Sequence, residues 1–69
     1  MAEAEDIAAL RVRLHALRIE HRDLDDVIER LLAAQSADEM LLRRLKKRKL
    51  WLKDRIFLLE GMIEPDIPA

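Results

Sequence analysis

Residues 31–42, with the sequence LLAAQSADEMLL, decide the fold, because they join two long series of regularly spaced apolar residues. Ser36 and Glu39 have the spacing of a capping box, in which the hydroxyl accepts an N–H bond three residues on and the carboxylate reaches back. Asp38 and Glu39 would then lie in a first helical turn, where the helix dipole favours anions. The segment therefore predicts the start of a second helix and a break in the chain just before it.

Apolar residues recur at alternating steps of three and four on both sides of this segment, which keeps one stripe of each helix facing a partner helix. We call this stripe the seam. Its first series is Ile7, Leu10, Leu14, Leu17, His21, Leu24, Ile28 and Leu31, and its second is Leu42, Leu45, Lys49, Leu52, Ile56, Leu59 and Ile63. Neither series shows the period-two alternation of a strand. The sequence thus predicts two helices.

Two arrangements of these helices fit the spacing. One continuous helix is possible because the heptad register runs on through Gln35 and Asp38, although two polar seam positions in succession would weaken its middle. A hairpin is favoured by a simple pairing. If the chain folds back near Ser36 and residues whose numbers add up to 73 are placed opposite each other, seam residues of helix 1 face seam residues of helix 2. This pairing also lays the acidic segment 20–29 beside bases of segment 44–53, and flanking charges of opposite sign set the orientation of paired helices.

We therefore predict an all-α fold, an antiparallel two-helix hairpin in a single domain over residues 1–69. Gly61 is expected to close the second helix in a left-handed conformation, and Pro65 and Pro68 to prevent its continuation. The predicted bounds are helix 1 at about 5–34, a turn at 35–37, helix 2 at about 38–61 and a frayed tail at 62–69.

Length and composition favour self-association. A chain of 69 residues without Cys has no disulfides to support a small core, so a partner subunit is the common remedy. We expect a homo-oligomer, with a dimeric four-helix bundle favoured.

The longest uncharged stretch is too short to span a membrane, and the acidic N-terminus is unlike a secretory signal, so a cytoplasmic protein is expected.

Residues 21–28 read HRDLDDVI and residues 45–56 read LKKRKLWLKDRI. Together these segments resemble the YdcH-like family of small bacterial proteins, with the pattern H-x-x-L-D-x-x-I, a connector, and L-K-K-x-K-L-x-L-K-D-x-I. The resemblance implies a short helical hairpin and no settled biochemical function. The residues that carry it are His21, Leu24, Asp25, Ile28, Leu45, Lys46, Lys47, Lys49, Leu50, Leu52, Lys53, Asp54 and Ile56.

The sequence offers little for catalysis or for a cofactor. His21 and Asp25 are neighbours on one helical turn, but a metal site needs three or four ligands, so we interpret His21 as a polar seam residue opposite Leu52. Ser36 is the only Ser, and no Gly-rich loop could hold phosphate. We expect no enzyme activity, no metal and no cofactor.

A second set of apolar residues lies away from the seam and predicts a protein interface, because a two-helix monomer has one seam to fill. We expect a non-enzymatic interaction or structural module that self-associates. We also expect it to bind a protein partner, which the sequence does not identify. The basic tract 43–49 keeps a nucleic-acid-associated protein open as an alternative, as does an accessory subunit of a larger complex. The predicted interface residues are Val12, Ala16, Ile19, Leu50, Trp51, Phe57 and Leu58.

Overall fold

Two α-helices form an antiparallel hairpin in the computed structural model, which describes residues 3–35 and 38–63. Helix α1 spans Glu3–Ala34 and helix α2 spans Glu39–Ile63. The molecule is 51 Å long, whereas one continuous helix of about 60 residues would extend about 90 Å. The predicted all-α hairpin is confirmed, and the continuous helix is wrong.

No helix in the described part of the chain has the length and apolar character needed to cross a membrane.

The turn begins where α1 ends in a left-handed residue. Gln35 has φ 58°, and its N–H donates to the carbonyl of Leu32 at 3.3 Å. A residue in this conformation cannot continue a right-handed helix, so the chain changes direction here. Gly and Asn adopt the conformation most easily, which is why the sequence carries no strong signal for this turn.

Helix α2 is capped by Asp38, which corrects the predicted capping box. Asp38 Oδ1 accepts N–H bonds from Met40 at 2.9 Å and from Leu41 at 3.3 Å, as an N-cap side chain does. Glu39 is therefore the first helical residue and cannot be the third, as the box requires. Ser36 lies outside the described residues. Ser36 and Asp38 both have a side-chain oxygen that could cap a helix, and Asp38 is the residue that caps α2.

Gly61 does not close α2, which is a second correction. It lies inside the helix, has no positive φ, and is followed by two further helical residues, Met62 and Ile63. Ile63 is partly buried at the end of the seam, and this packing extends the helix past the glycine. The predicted frayed tail is thus wrong for residues 62 and 63, while residues 64–69 lie outside the described residues.

The core is the seam. Among the described residues its four buried side chains are two from each helix, Leu14, Ile28, Leu52 and Leu59, and of these Leu52 has no exposed surface. Each was predicted as a seam residue. Because two packed helices have a single contact line, the core is a row of side chains rather than a layer.

Three ion pairs between residues that the structure describes flank this row and are consistent with its antiparallel direction. Arg18 Nη2 lies 2.5 Å from Glu60, Arg48 Nη2 lies 3.0 Å from Glu20, and Lys49 pairs with Asp25. In each pair the two residue numbers add up to a value near the predicted total of 73, as expected for two antiparallel helices in the predicted register.

Candidate functional site

The surfaces available to a partner are the sides of the two helices that lie opposite the seam, at heptad positions b, c and f. The α1 outer face consists of Ala8, Ala9, Val12, His15, Ala16, Ile19, Arg22, Asp23, Asp26, Glu29 and Arg30. The α2 outer face consists of Met40, Arg43, Arg44, Lys47, Leu50, Trp51, Asp54, Phe57, Leu58 and Gly61. Every one of these residues is exposed in the single hairpin.

All seven predicted interface residues lie on these outer faces. Val12 is 72% exposed and Phe57 is 75% exposed, which are large fractions for apolar side chains. The two faces point in opposite directions, because each lies opposite the seam that the helices share. The structure therefore does not join the seven residues into one patch within a hairpin. It presents two separate apolar surfaces near the end of the hairpin away from the turn.

Trp51 differs from the other members of the α2 outer face. The guanidinium carbon of Arg48 lies 4.6 Å from the centre of the indole ring, and that of Arg55 lies 5.4 Å from it. Both distances are within the range of cation–π attraction. Arg48 also donates to Glu20 through Nε at 3.1 Å, so the ring is held by a side chain that is itself anchored on α1. Sequence reasoning missed this cluster, although the spacings of three and four residues from Trp51 signal it.

A polar layer interrupts the seam at His21. Asp25 Oδ1 accepts a hydrogen bond from Lys49 Nζ, and this bond lowers the pKa of the Asp25 carboxyl below its ordinary 3.8. The charges of Lys49 and His21 lower the pKa further, while partial burial opposes them. His21 Nε2 is buried and has no hydrogen-bond partner among the described residues.

This layer opens onto a groove of about 410 Å³ lined also by Arg18, Lys53 and Ile56. Four cationic or imidazole side chains and one carboxylate give it the wrong donor set for a metal ion. Among the described residues there is no group of three or more His, Cys, Asp or Glu side chains that could hold one. The arrangement suits a polar contact that fixes which seam residues face each other.

The basic tract 43–49 is only partly neutralised. Of its six bases, Arg48 and Lys49 pair with acids of α1. The other four have no carboxylate within 4.0 Å in the part of the chain that the structure describes, so the acids of α1 form ion pairs with only part of the tract. Arg43, Arg44 and Lys47 lie at positions b, c and f, which project away from α1 and beyond the reach of its acids, whereas Lys46 lies at the flanking position e.

Two methionines of α2 carry apolar surface that sequence reasoning did not include, Met40 at 66% exposed and Met62 at 64% exposed. Gly61 lies between Met62 and the pair Phe57 and Leu58. A side-chain carbon added at Gly61 would meet no atom within 4 Å. The hairpin itself therefore does not require a glycine at this helical position, which a glycine destabilises.

Comparison with known proteins gives one match. A family described as "Protein of unknown function (DUF465)" matches residues 14–60, more than half of the chain. YdcH-like proteins belong to this family, so the resemblance found in the sequence is confirmed. No curated protein and no solved structure matches the chain significantly.

Proposed function

The chain belongs to the DUF465 family of small proteins of unknown function, and we propose that it is a non-enzymatic helical interaction module that associates with further copies of itself. The exposed apolar side chains of the two outer faces carry this proposal. A cytoplasmic location, predicted from the sequence, belongs to the same proposal.

Apolar surface that the hairpin leaves uncovered supports self-association. Val12, Leu50, Phe57 and Leu58 are each more than half exposed, and none of them can reach the seam of its own hairpin. Burial of apolar surface stabilises by about 25 cal/mol per Å², so covering several such side chains offsets part of the cost of association. A small hairpin with a single row of core side chains also gains the most from a partner.

Self-association is tested by multi-angle light scattering over a range of protein concentrations. We expect a mass above that of one chain, and we expect Phe57→Glu to lower it together with the helical signal in circular dichroism. Trp51→Glu should act in the same direction. Leu32→Glu is the matched control, because Leu32 is 51% exposed but lies on the flank of the seam near the turn. A wild-type mass of one chain at every concentration contradicts the proposal.

The four unpaired bases of the tract support a second candidate, binding of nucleic acid. In this case Lys46→Glu and Lys47→Glu would abolish binding to duplex DNA or RNA. The logarithm of the affinity would also fall steeply with the logarithm of salt concentration, because several phosphate counterions are released. We expect weak binding at about 150 mM salt, since the tract contains no aromatic residue to stack on bases and has only four bases without a described acid partner to contact phosphates. Steep, submicromolar binding would favour this candidate.

An accessory subunit of a larger complex is the remaining alternative. The same outer faces would then be covered by a different protein. A wild-type hairpin that stays monomeric while native-host extracts yield one stoichiometric partner would favour this alternative.

A further inference from the structure

We infer that the partner of each hairpin is a second copy arranged head to tail, with the α1 outer face of one copy packed antiparallel against the α2 outer face of the next. This inference rests on the proposed self-association and specifies its geometry. The two outer faces carry complementary patterns of apolar and charged residues, and these patterns match in one orientation.

The α1 outer face changes character along its length. Its first half is apolar and small, with Val12, Ala16 and Ile19 exposed. Its second half carries the acids Asp23, Asp26 and Glu29, which outnumber the bases Arg22 and Arg30. None of these three acids has a cation within 4.0 Å among the described residues, so they are free to pair with another molecule.

The α2 outer face has the same two parts in the opposite order. Its first half carries Arg43, Arg44 and Lys47, which are exposed and have no described acid within 4.0 Å. Its second half presents Leu50, Trp51, Phe57 and Leu58, interrupted by Asp54. Apolar meets apolar and acid meets base only when the two faces run antiparallel, which sets the direction of the contact.

The register follows from the same pattern. With Asp26 placed opposite Lys47, the spacing of an antiparallel pair puts Ala16 opposite Phe57 and Val12 opposite Gly61. A small side chain then faces a large one, which allows the two rows to interdigitate. The open space over Gly61 accepts the exposed Val12, which accounts for a glycine that the hairpin itself does not need.

A symmetric contact between two α2 outer faces fits less well. Antiparallel pairing of their apolar halves centres on Asp54, so two like charges would face each other at the middle of the contact. The bases Arg43, Arg44 and Lys47 would extend beyond it with no acid opposite them among the described residues. Two α1 outer faces in antiparallel contact would place apolar residues against acids. In the register above, the head-to-tail contact keeps the two Asp54 side chains apart and puts Glu29 opposite Arg44. Its own mismatches are Ile19 opposite Asp54, Asp23 opposite Leu50 and Arg30 opposite Arg43.

A head-to-tail contact uses different faces on the two copies, so each hairpin keeps one face for a further copy. In a dimer of this kind the two hairpins lie edge to edge, so that their four helices form a single layer. Association is then open-ended, and the mean mass of the wild-type protein should rise with concentration beyond that of two chains.

Mixing two variants tests this geometry. Val12→Glu blocks the α1 outer face and Phe57→Glu blocks the α2 outer face, both at strongly exposed positions outside the core of the hairpin. Circular dichroism at dilute concentration verifies that each variant is still helical. Sedimentation velocity should show each variant alone to be monomeric. Every contact needs an intact α1 outer face and an intact α2 outer face, and each variant lacks one of them. An equimolar mixture should form a one-to-one heterodimer that does not grow further.

The outcomes separate this inference from the proposed function. A monomeric wild-type protein contradicts both. Wild-type association combined with self-association of Val12→Glu but not of Phe57→Glu indicates a symmetric α2 contact, which overturns the head-to-tail geometry and leaves self-association standing. Wild-type association with a mixture that stays monomeric overturns it as well. As an independent check, Asp26→Lys and Lys47→Glu should each weaken wild-type association, and the double variant should restore it, since the pair re-forms with opposite charges.

Discussion

The seam and the outer faces both carry apolar residues at heptad spacing, yet their environments in the hairpin are opposite. Leu52 of the seam is completely buried, whereas Leu58, six residues later on the same helix, is 58% exposed. Spacing alone does not distinguish the two rows, because each is a regular helical stripe. The turn distinguishes them, since it selects which stripe of α1 meets which stripe of α2. The outer stripes are the ones the turn leaves uncovered.

The largest expected difference between these regions is in stability. Leu52→Ala should lower the free energy of unfolding by about 2–5 kcal/mol, because it leaves a cavity in a core only one side chain wide. Leu58→Ala is the matched control and should cost less than about 0.5 kcal/mol at concentrations where the hairpin is monomeric. Urea denaturation followed by circular dichroism measures both values. Equal losses would mean that the outer row is covered even in the monomer.

A smaller loss of stability is expected at the N-cap of α2, next to the turn that determines which stripes form the seam. Asp38→Ala removes the acceptor for the N–H groups of Met40 and Leu41 and should cost about 1 kcal/mol. Glu39→Ala is the control, because Glu39 is exposed and is not the cap. Thermal denaturation of the two variants compares them. If Glu39→Ala is the more damaging, the cap is not at Asp38.

A change of opposite sign is expected on the α2 outer face. Gly61→Ala should stabilise the monomeric hairpin by about 0.5 kcal/mol, since the residue is helical and the added carbon meets no atom within 4 Å. Ala16→Gly, at an exposed helical position of α1, should destabilise by a similar amount. Thermal midpoints at dilute concentration give both signs. A destabilising Gly61→Ala would mean that the hairpin itself requires the glycine.

How far the sequence predicted this molecule depends on the kind of interaction. The four buried leucine and isoleucine side chains were predictable, because heptad spacing determines which residues share a stripe. The antiparallel register was predictable from the charges that flank it. The conformation of the turn and the residue that caps α2 were not predictable, because Gln35 adopts a left-handed conformation that its side chain does not favour and Asp38 competes with Ser36 for the cap.

The candidate surface was predicted less completely than the seam. Its apolar residues could be named from the sequence, because they lie at positions that a seam does not use. Their separation onto opposite sides of the hairpin needed the structure, as did the pairing state of tract 43–49. Arg48 reaches Glu20 and also covers Trp51, and neither contact follows from composition or charge balance.

The smallest expected effect comes from the polar layer of the seam and appears as a dependence of stability on pH. The hydrogen bond from Lys49 lowers the pKa of Asp25 in the folded state below its ordinary 3.8, which is the value expected in the unfolded chain. The folded state then binds the Asp25 proton less readily than the unfolded state does. The stabilisation is therefore complete above about pH 4 and is lost as the pH falls below 3.8 toward the folded-state pKa.

Urea denaturation at several pH values between about 2 and 6 tests this linkage. Asp25→Asn should be less stable than the wild type at pH 6, and its stability should change less steeply below pH 4, because one of the groups that respond to acid has been removed. Asp26→Asn, compared at concentrations where the hairpin is monomeric, is the control, since Asp26 is an exposed neighbour whose carboxylate makes no ion pair among the described residues. Parallel curves for Asp25→Asn and the wild type would mean that Lys49 does not hold Asp25 in solution. The polar layer would then fix the register by the shape and position of His21 rather than by charge.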